Sequence, residues 1–136
     1  MSDFTFKTTY VVYASPESVF DALTDSGLIT QWGGGFSVVE DHPGGHFEWF
    51  DGWVRGEVTH YVPGKELGFT WKPDEWDKRT KPSTVHLRLM PHAAGTDVVI
   101  HHTGFPSQEE ADKHGNGWID QILDPLNDYF IGQMPG

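Results

Sequence analysis

From residue 36 to residue 103 the chain alternates apolar and polar residues in short runs: FSVVEDH, HFEWF, WVRGEVTHYV, ELGFTW, STVHLRLM and TDVVIHHT. Period-two alternation buries one side of a strand and leaves the other wet. Turns this closely spaced leave no room for crossover helices, so the runs read as five or six consecutive antiparallel strands. Their connections carry turn chemistry at Pro43, Gly44 and Gly45, at Asp51 and Gly52, at Pro63 and Gly64, and at Ala94 and Gly95. One loop, KPDEWDKRTKP over 72–82, is longer and charged, and its Trp76 either flanks an entrance or packs the loop.

Ahead of this region, FTFKTTYVVY over 4–13 is a further strand. Ser15 then caps a helix with Pro16 at its first position and Glu17 at the positive end of the dipole, and DSGLITQW over 25–32 forms a second short helix after a break at Gly27. The clusters at 33–35 and 44–45 fit no phosphate-binding fingerprint and read as sharp turns. Behind the strands, Ser107 and Glu110 form a capping box for the C-terminal helix. In HGNGWIDQILDPLNDYF (114–130) the apolar stripe runs Trp118, Ile122, Leu126 and Tyr129. Gly115 and Gly117 weaken the helix, and Pro125 imposes a bend between Gln121 and Asp124. The order predicts an α+β fold over 1–136 as a single domain. A curved antiparallel sheet of six or seven strands wraps a long C-terminal helix, with two short helices after the first strand.

A hairpin that sets Pro91 opposite Thr96 pairs Val85 with His102, Leu87 with Ile100 and Leu89 with Val98 on the core face. It puts His86 with His101 and Arg88 with Val99 on the other face. Leu67, Phe69 and Trp71 share one parity, as do Phe47 and Trp49, so the inner face is rich in aromatic rings. A bent helix fits a curved sheet better at its edges than at its middle, which predicts an apolar cavity between the two.

Net charge narrows the partners. With 9 Lys and Arg against 20 Asp and Glu, the net charge of -11 repels nucleic acid and anionic lipid. No apolar run is long enough to cross a bilayer, and the N-terminus lacks the basic and apolar regions of a signal peptide, which implies a cytoplasmic chain. The absence of Cys removes disulfides, thiolate nucleophiles and Cys-ligated zinc.

The segments SPESVFDALTDSGLITQWGGG, DGWVRGEVTHYVPGKELGFTW, GTDVVIHHTGF and HGNGWIDQILDPLNDYF, in this order, resemble the activator-of-heat-shock-ATPase-like branch of the START and pollen-allergen (SRPBCC) superfamily. The resemblance covers nearly the whole chain. It implies a helix-grip fold with a deep hydrophobic pocket whose positions map onto Trp32, Trp71, His102 and Trp118. Pro125, where relatives continue the helix, and His101, where a small polar residue is usual, depart from the pattern.

These readings place ligand contacts at Trp32, Phe47, Trp49, Phe69, Trp71, Leu87, Ile100, His102, Trp118, Ile122 and Leu126. His102 is either a hydrogen-bonded core residue, a polar anchor for a ligand or, third, an acid–base group. His101 and His102 point to opposite faces and His86 with His101 lacks a third ligand, so no metal and no cofactor are implied. Arg55 and Glu57 share a side and read as an exposed charge pair. The functional expectation is reversible binding of a small hydrophobic or amphipathic molecule, such as a lipid, polyketide or aromatic metabolite, by a monomer or homodimer. A chaperone ATPase regulator is the first alternative. It ranks lower because the activators of that name carry a further chaperone-binding domain, for which 136 residues leave no room. A polyketide cyclase or hydrolase using the same pocket is the second, and the balance favours no enzyme.

Overall fold

The computed structural model describes residues 4–134; the ends of the span read as one domain, 1–3 and 135–136, lie outside the described residues. Seven strands form one antiparallel sheet: β1 (Phe4–Val12), β2 (Val38–Val39), β3 (His46–Trp49), β4 (Val54–Val62), β5 (Glu66–Pro73), β6 (Ser83–His92) and β7 (Gly95–Phe105). The order across the sheet is β1-β7-β6-β5-β4-β3-β2, so the first strand joins beside the last and every other neighbour is a hairpin partner. The β6–β7 register is the one the alternation dictates, Val85 opposite His102, Leu87 opposite Ile100 and Pro91 opposite Thr96. A bulge between Val58 and His60 bends β4 and deepens the curvature.

Helices α1 (Pro16–Thr24) and α2 (Ser26–Trp32) follow β1. The break between them falls at Asp25 rather than at Gly27. Asp25 is extended (ψ 121°) and its carboxylate accepts from the Leu28 N–H at 3.0 Å, so it ends one helix and caps the next, while Gly27 stays inside α2. Gly34 and Gly35 then take φ of 75° and 79°, the left-handed turn that delivers the chain to the sheet. On the outer face, Arg55 turns to Glu48 at 3.4 Å instead of Glu57, since β3 lies beside it and Glu48 is its cross-strand neighbour.

The last helical region consists of α3 (Gln108–Gly117), a π-helical stretch (Trp118–Leu123) and α4 (Asp124–Gln133). The region expected to bend, Gln121 to Asp124, holds a wider turn: the Asp124 N–H bonds the Ile119 carbonyl five residues back, and Pro125 sits in the first turn of α4, where its missing N–H is not needed. Gly115 has a separate reason. A Cβ there would lie 2.6 Å from the Phe6 ring, so glycine lets α3 close onto β1. Ser107 caps α3 through the Glu110 N–H at 3.1 Å, but the Glu110 carboxylate does not return to complete the box; it accepts from Trp76 Nε1 at 2.6 Å. No helix among the described residues is long and apolar enough to cross a membrane.

Candidate functional site

The alternation of β3 and β5 sends four aromatic rings to the inner face, where they interlock and are joined by Trp32 from α2. Phe47 and Phe69 stack at 3.8 Å, Trp49 meets Trp71 edge-on at 6.1 Å, and Trp32 closes on Trp49 at 6.4 Å. Ring pairs in such geometries gain about 0.5–1.5 kcal/mol beyond their area burial. Trp32, Phe47, Trp49 and Phe69 are buried in this packing, and so are Leu87 and Ile100 on the sheet and Leu126 on α4. Most of the space between sheet and helix is therefore filled by the chain itself.

His102 lies at the centre, fully buried. Its Nδ1 accepts from Trp118 Nε1 at 3.0 Å, which leaves the ring proton on Nε2. That N–H donates to Ser83 Oγ at 2.7 Å, and the Ser83 hydroxyl donates to the Trp71 carbonyl at 3.2 Å. Each donor in the chain has one acceptor, so the arrangement ties the π-helical stretch to β7, β6 and β5. Burial pushes His102 down to about 2, with a smaller contribution from nearby His114. With both nitrogens engaged, His102 has no free lone pair for a ligand or for proton transfer.

A cavity of about 470 Å³ remains at one end of the grip, between the β3–β4 turn, β5 and the helix. Of the eleven residues read as ligand contacts, Trp71, Trp118 and Ile122 line it; the other eight form the packed interior beside it. The sequence reading missed the rest of the wall, including Phe50, Trp53, Glu75, Lys113 and His114. Phe50 and Trp53 flank the Asp51 and Gly52 turn, where alternation ends. Phe50 and Asp51 take φ of 56° and 59°, held there by Phe50 N–H to Ser37 Oγ (3.1 Å) and Asp51 N–H to the Phe36 carbonyl (2.8 Å). This left-handed bend turns both rings toward the cavity. At the rim, Trp53 Nε1 donates to Glu75 Oε1 at 2.8 Å and Lys113 approaches Glu75 Oε2 at 4.0 Å, joining three segments across the mouth. Trp76 does not flank the entrance; it packs the 72–82 loop onto α3.

For His114 a signal was available: stepping the stripe Trp118, Ile122, Leu126 back by four reaches it. It is buried, its Nδ1–H donates to the Glu110 carbonyl at 3.1 Å, and its ring faces Trp53 nearly parallel at 6.3 Å and Trp71 edge-on at 5.9 Å. Burial lowers its pKa; the Glu110 carbonyl and the Glu110 and Glu75 carboxylates oppose that only in part. Outside the cavity, His86 pairs with Glu66 at 2.7 Å and stacks on His60 at 4.8 Å, and His101 lies opposite it in the β6–β7 register.

An antiparallel sheet curled around a C-terminal helix, with a cavity at one end of the grip, defines a helix-grip protein. The family model described as Activator of Hsp90 ATPase homolog 1-like protein matches residues 13–130, and the chain belongs to that family. The mouse (Mus musculus) activator of 90 kDa heat shock protein ATPase homolog 1 is 28% identical over 114 residues, which are 84% of this chain and 32% of the mouse protein. The chain thus spans about a third of the length of that curated relative. A crystal structure of an HSP90 activator from Plasmodium falciparum superposes with a TM-score of 0.81 at 25% identity, over 95% of this chain and 96% of that one. A crystal structure of a protein from Mesorhizobium loti gives 0.80 at 24% identity, over 96% and 99%.

Proposed function

We propose that the protein binds a small hydrophobic or amphipathic molecule reversibly, in the cytoplasm, in the cavity between Trp71, Trp118 and the Phe50–Trp53 turn. The observation that carries this reading is a void of about 470 Å³ with aromatic walls, left in a fold whose remaining interior is tightly packed. Burial of ligand surface supplies the affinity, about 25 cal/mol per Å² of apolar area. Trp53, Trp71 and Trp118 report occupancy directly. A screen of lipids, polyketides and aromatic metabolites by tryptophan fluorescence and thermal shift is expected to return at least one saturable binder; a wholly flat screen would sink the reading.

A second reading is regulation of a chaperone ATPase, favoured by the family match over 13–130 and the likeness to the mouse and P. falciparum activators. Addition of the purified chain to an Hsp90-type chaperone is expected to raise ATP turnover on this reading, and no change at saturating protein would reject it.

A further inference from the structure

Among the described residues three buried side-chain polar atoms lack a hydrogen-bond partner: Trp49 Nε1, Trp71 Nε1 and His114 Nε2. Two of them belong to residues that line the cavity. The fold is otherwise careful with such groups. Trp32 Nε1 donates to the Ala22 carbonyl, Trp53 to Glu75, Trp76 to Glu110 and Trp118 to His102, and His102 uses both nitrogens. Buried polar atoms left unpaired cost free energy and point to a group absent from the protein chain.

The chemistry of the two atoms is complementary. Because His114 Nδ1 gives its proton to the Glu110 carbonyl, Nε2 of the neutral ring presents a lone pair. Trp71 Nε1 is a donor only. The two rings stand 5.9 Å apart, edge to face, in one wall. We propose that the cavity takes a ring-bearing ligand with a neutral hydroxyl, alcohol or phenol, that donates to His114 Nε2 and accepts from Trp71 Nε1. This rests on the ligand-binding reading above. A carboxylate would meet the His114 lone pair without a proton to share, an ammonium could not accept from Trp71, and an ether or ketone could satisfy Trp71 alone. The ring of such a ligand finds Phe50, Trp53 and Trp118 as its other walls. Both unpaired atoms are buried, and the His114 ring lies against Trp53, the most exposed of the cavity's aromatic rings at 38%.

Calorimetric titration with 2-naphthol, 2-methoxynaphthalene and naphthalene tests this. The hydroxyl compound is expected to bind about threefold to tenfold tighter than the other two, the range of a neutral hydrogen bond. His114→Phe and Trp71→Phe are each expected to reduce the ratio of 2-naphthol to naphthalene affinity, whatever they do to affinity for naphthalene itself, and His114→Gln, which restores an acceptor, to recover part of that ratio. Equal affinity for the three probes overturns the hydroxyl assignment and leaves the cavity reading intact. Failure of all three to bind overturns the ring-bearing hydroxyl assignment, while the cavity reading is decided by the wider ligand screen. If the variants do not fold, the series on the unmodified protein decides alone.

Discussion

Ser83 is a small residue with two obligations, accepting from His102 and donating to the Trp71 carbonyl. Ser83→Ala leaves the His102 N–H buried without a partner, and a loss of about 1–3 kcal/mol is expected in urea unfolding. His102 and His114 are both held neutral, below the ordinary histidine value of 6.5. Unfolding therefore takes up protons below that value. Their contribution is complete above about pH 6.5 and falls as pH drops below it, for His102 down to about 2, at about 1.4 kcal/mol per pH unit while a histidine is neutral in the folded state and charged in the unfolded one. Denaturation midpoints measured between pH 7 and pH 5 should show this slope, and His102→Asn should reduce it. At this scale the parity of His102 was legible, because strand period fixes which face a residue joins. Its partners were not, since Trp118 and Ser83 come from other elements.

The elements of the C-terminal region explain why a helix tolerates glycine in two neighbouring places. Gly115→Ala pushes a methyl group into Phe6, while Gly117 has no heavy atom within 4 Å of an added Cβ and has helical φ of -62°. The first substitution is expected to destabilise by about 1–3 kcal/mol through overpacking. The second is expected to stabilise by about 0.5–1 kcal/mol through reduced backbone entropy. Chemical denaturation of the two variants side by side separates them. The helix is also pinned to β1 where the Tyr10 hydroxyl donates to Asp124 at 2.5 Å, and burial, followed by that carboxylate, pushes Tyr10 up to about 12. A raised pKa means this contribution is present below pH 10 and lost as pH climbs from 10 to 12. Tyr10→Phe should remove that alkaline dependence in a pH titration of unfolding. The sequence announced a disturbance at Pro125 and placed it between Gln121 and Asp124; its form, a wider turn closed by the Asp124 N–H on the Ile119 carbonyl, lies in backbone hydrogen bonding that residue pattern does not show.

For the molecule as a whole, occupancy of the cavity must raise stability by mass action. A ligand at a hundredfold excess over its Kd adds about 2.7 kcal/mol, or about 5 to 10 °C in Tm for a domain of this size. Gly117→Leu, which projects into the cavity wall, should abolish that gain while the unliganded Tm stays near that of the parent. By itself the sequence determined a run of six or seven antiparallel strands, the β6–β7 register, the aromatic inner face and the helix that covers it, because alternation and turn chemistry are local and act before any long-range contact forms; that β1 joins beside β7 is a long-range pairing it did not assign. Tertiary structure alone decided which of those inward side chains pack solidly and which border a void. That distinction depends on the left-handed turn at Phe50 and Asp51, on Gly115 admitting Phe6 and on the wider helical turn before Pro125, a few ångströms of placement that no residue's own pattern encodes.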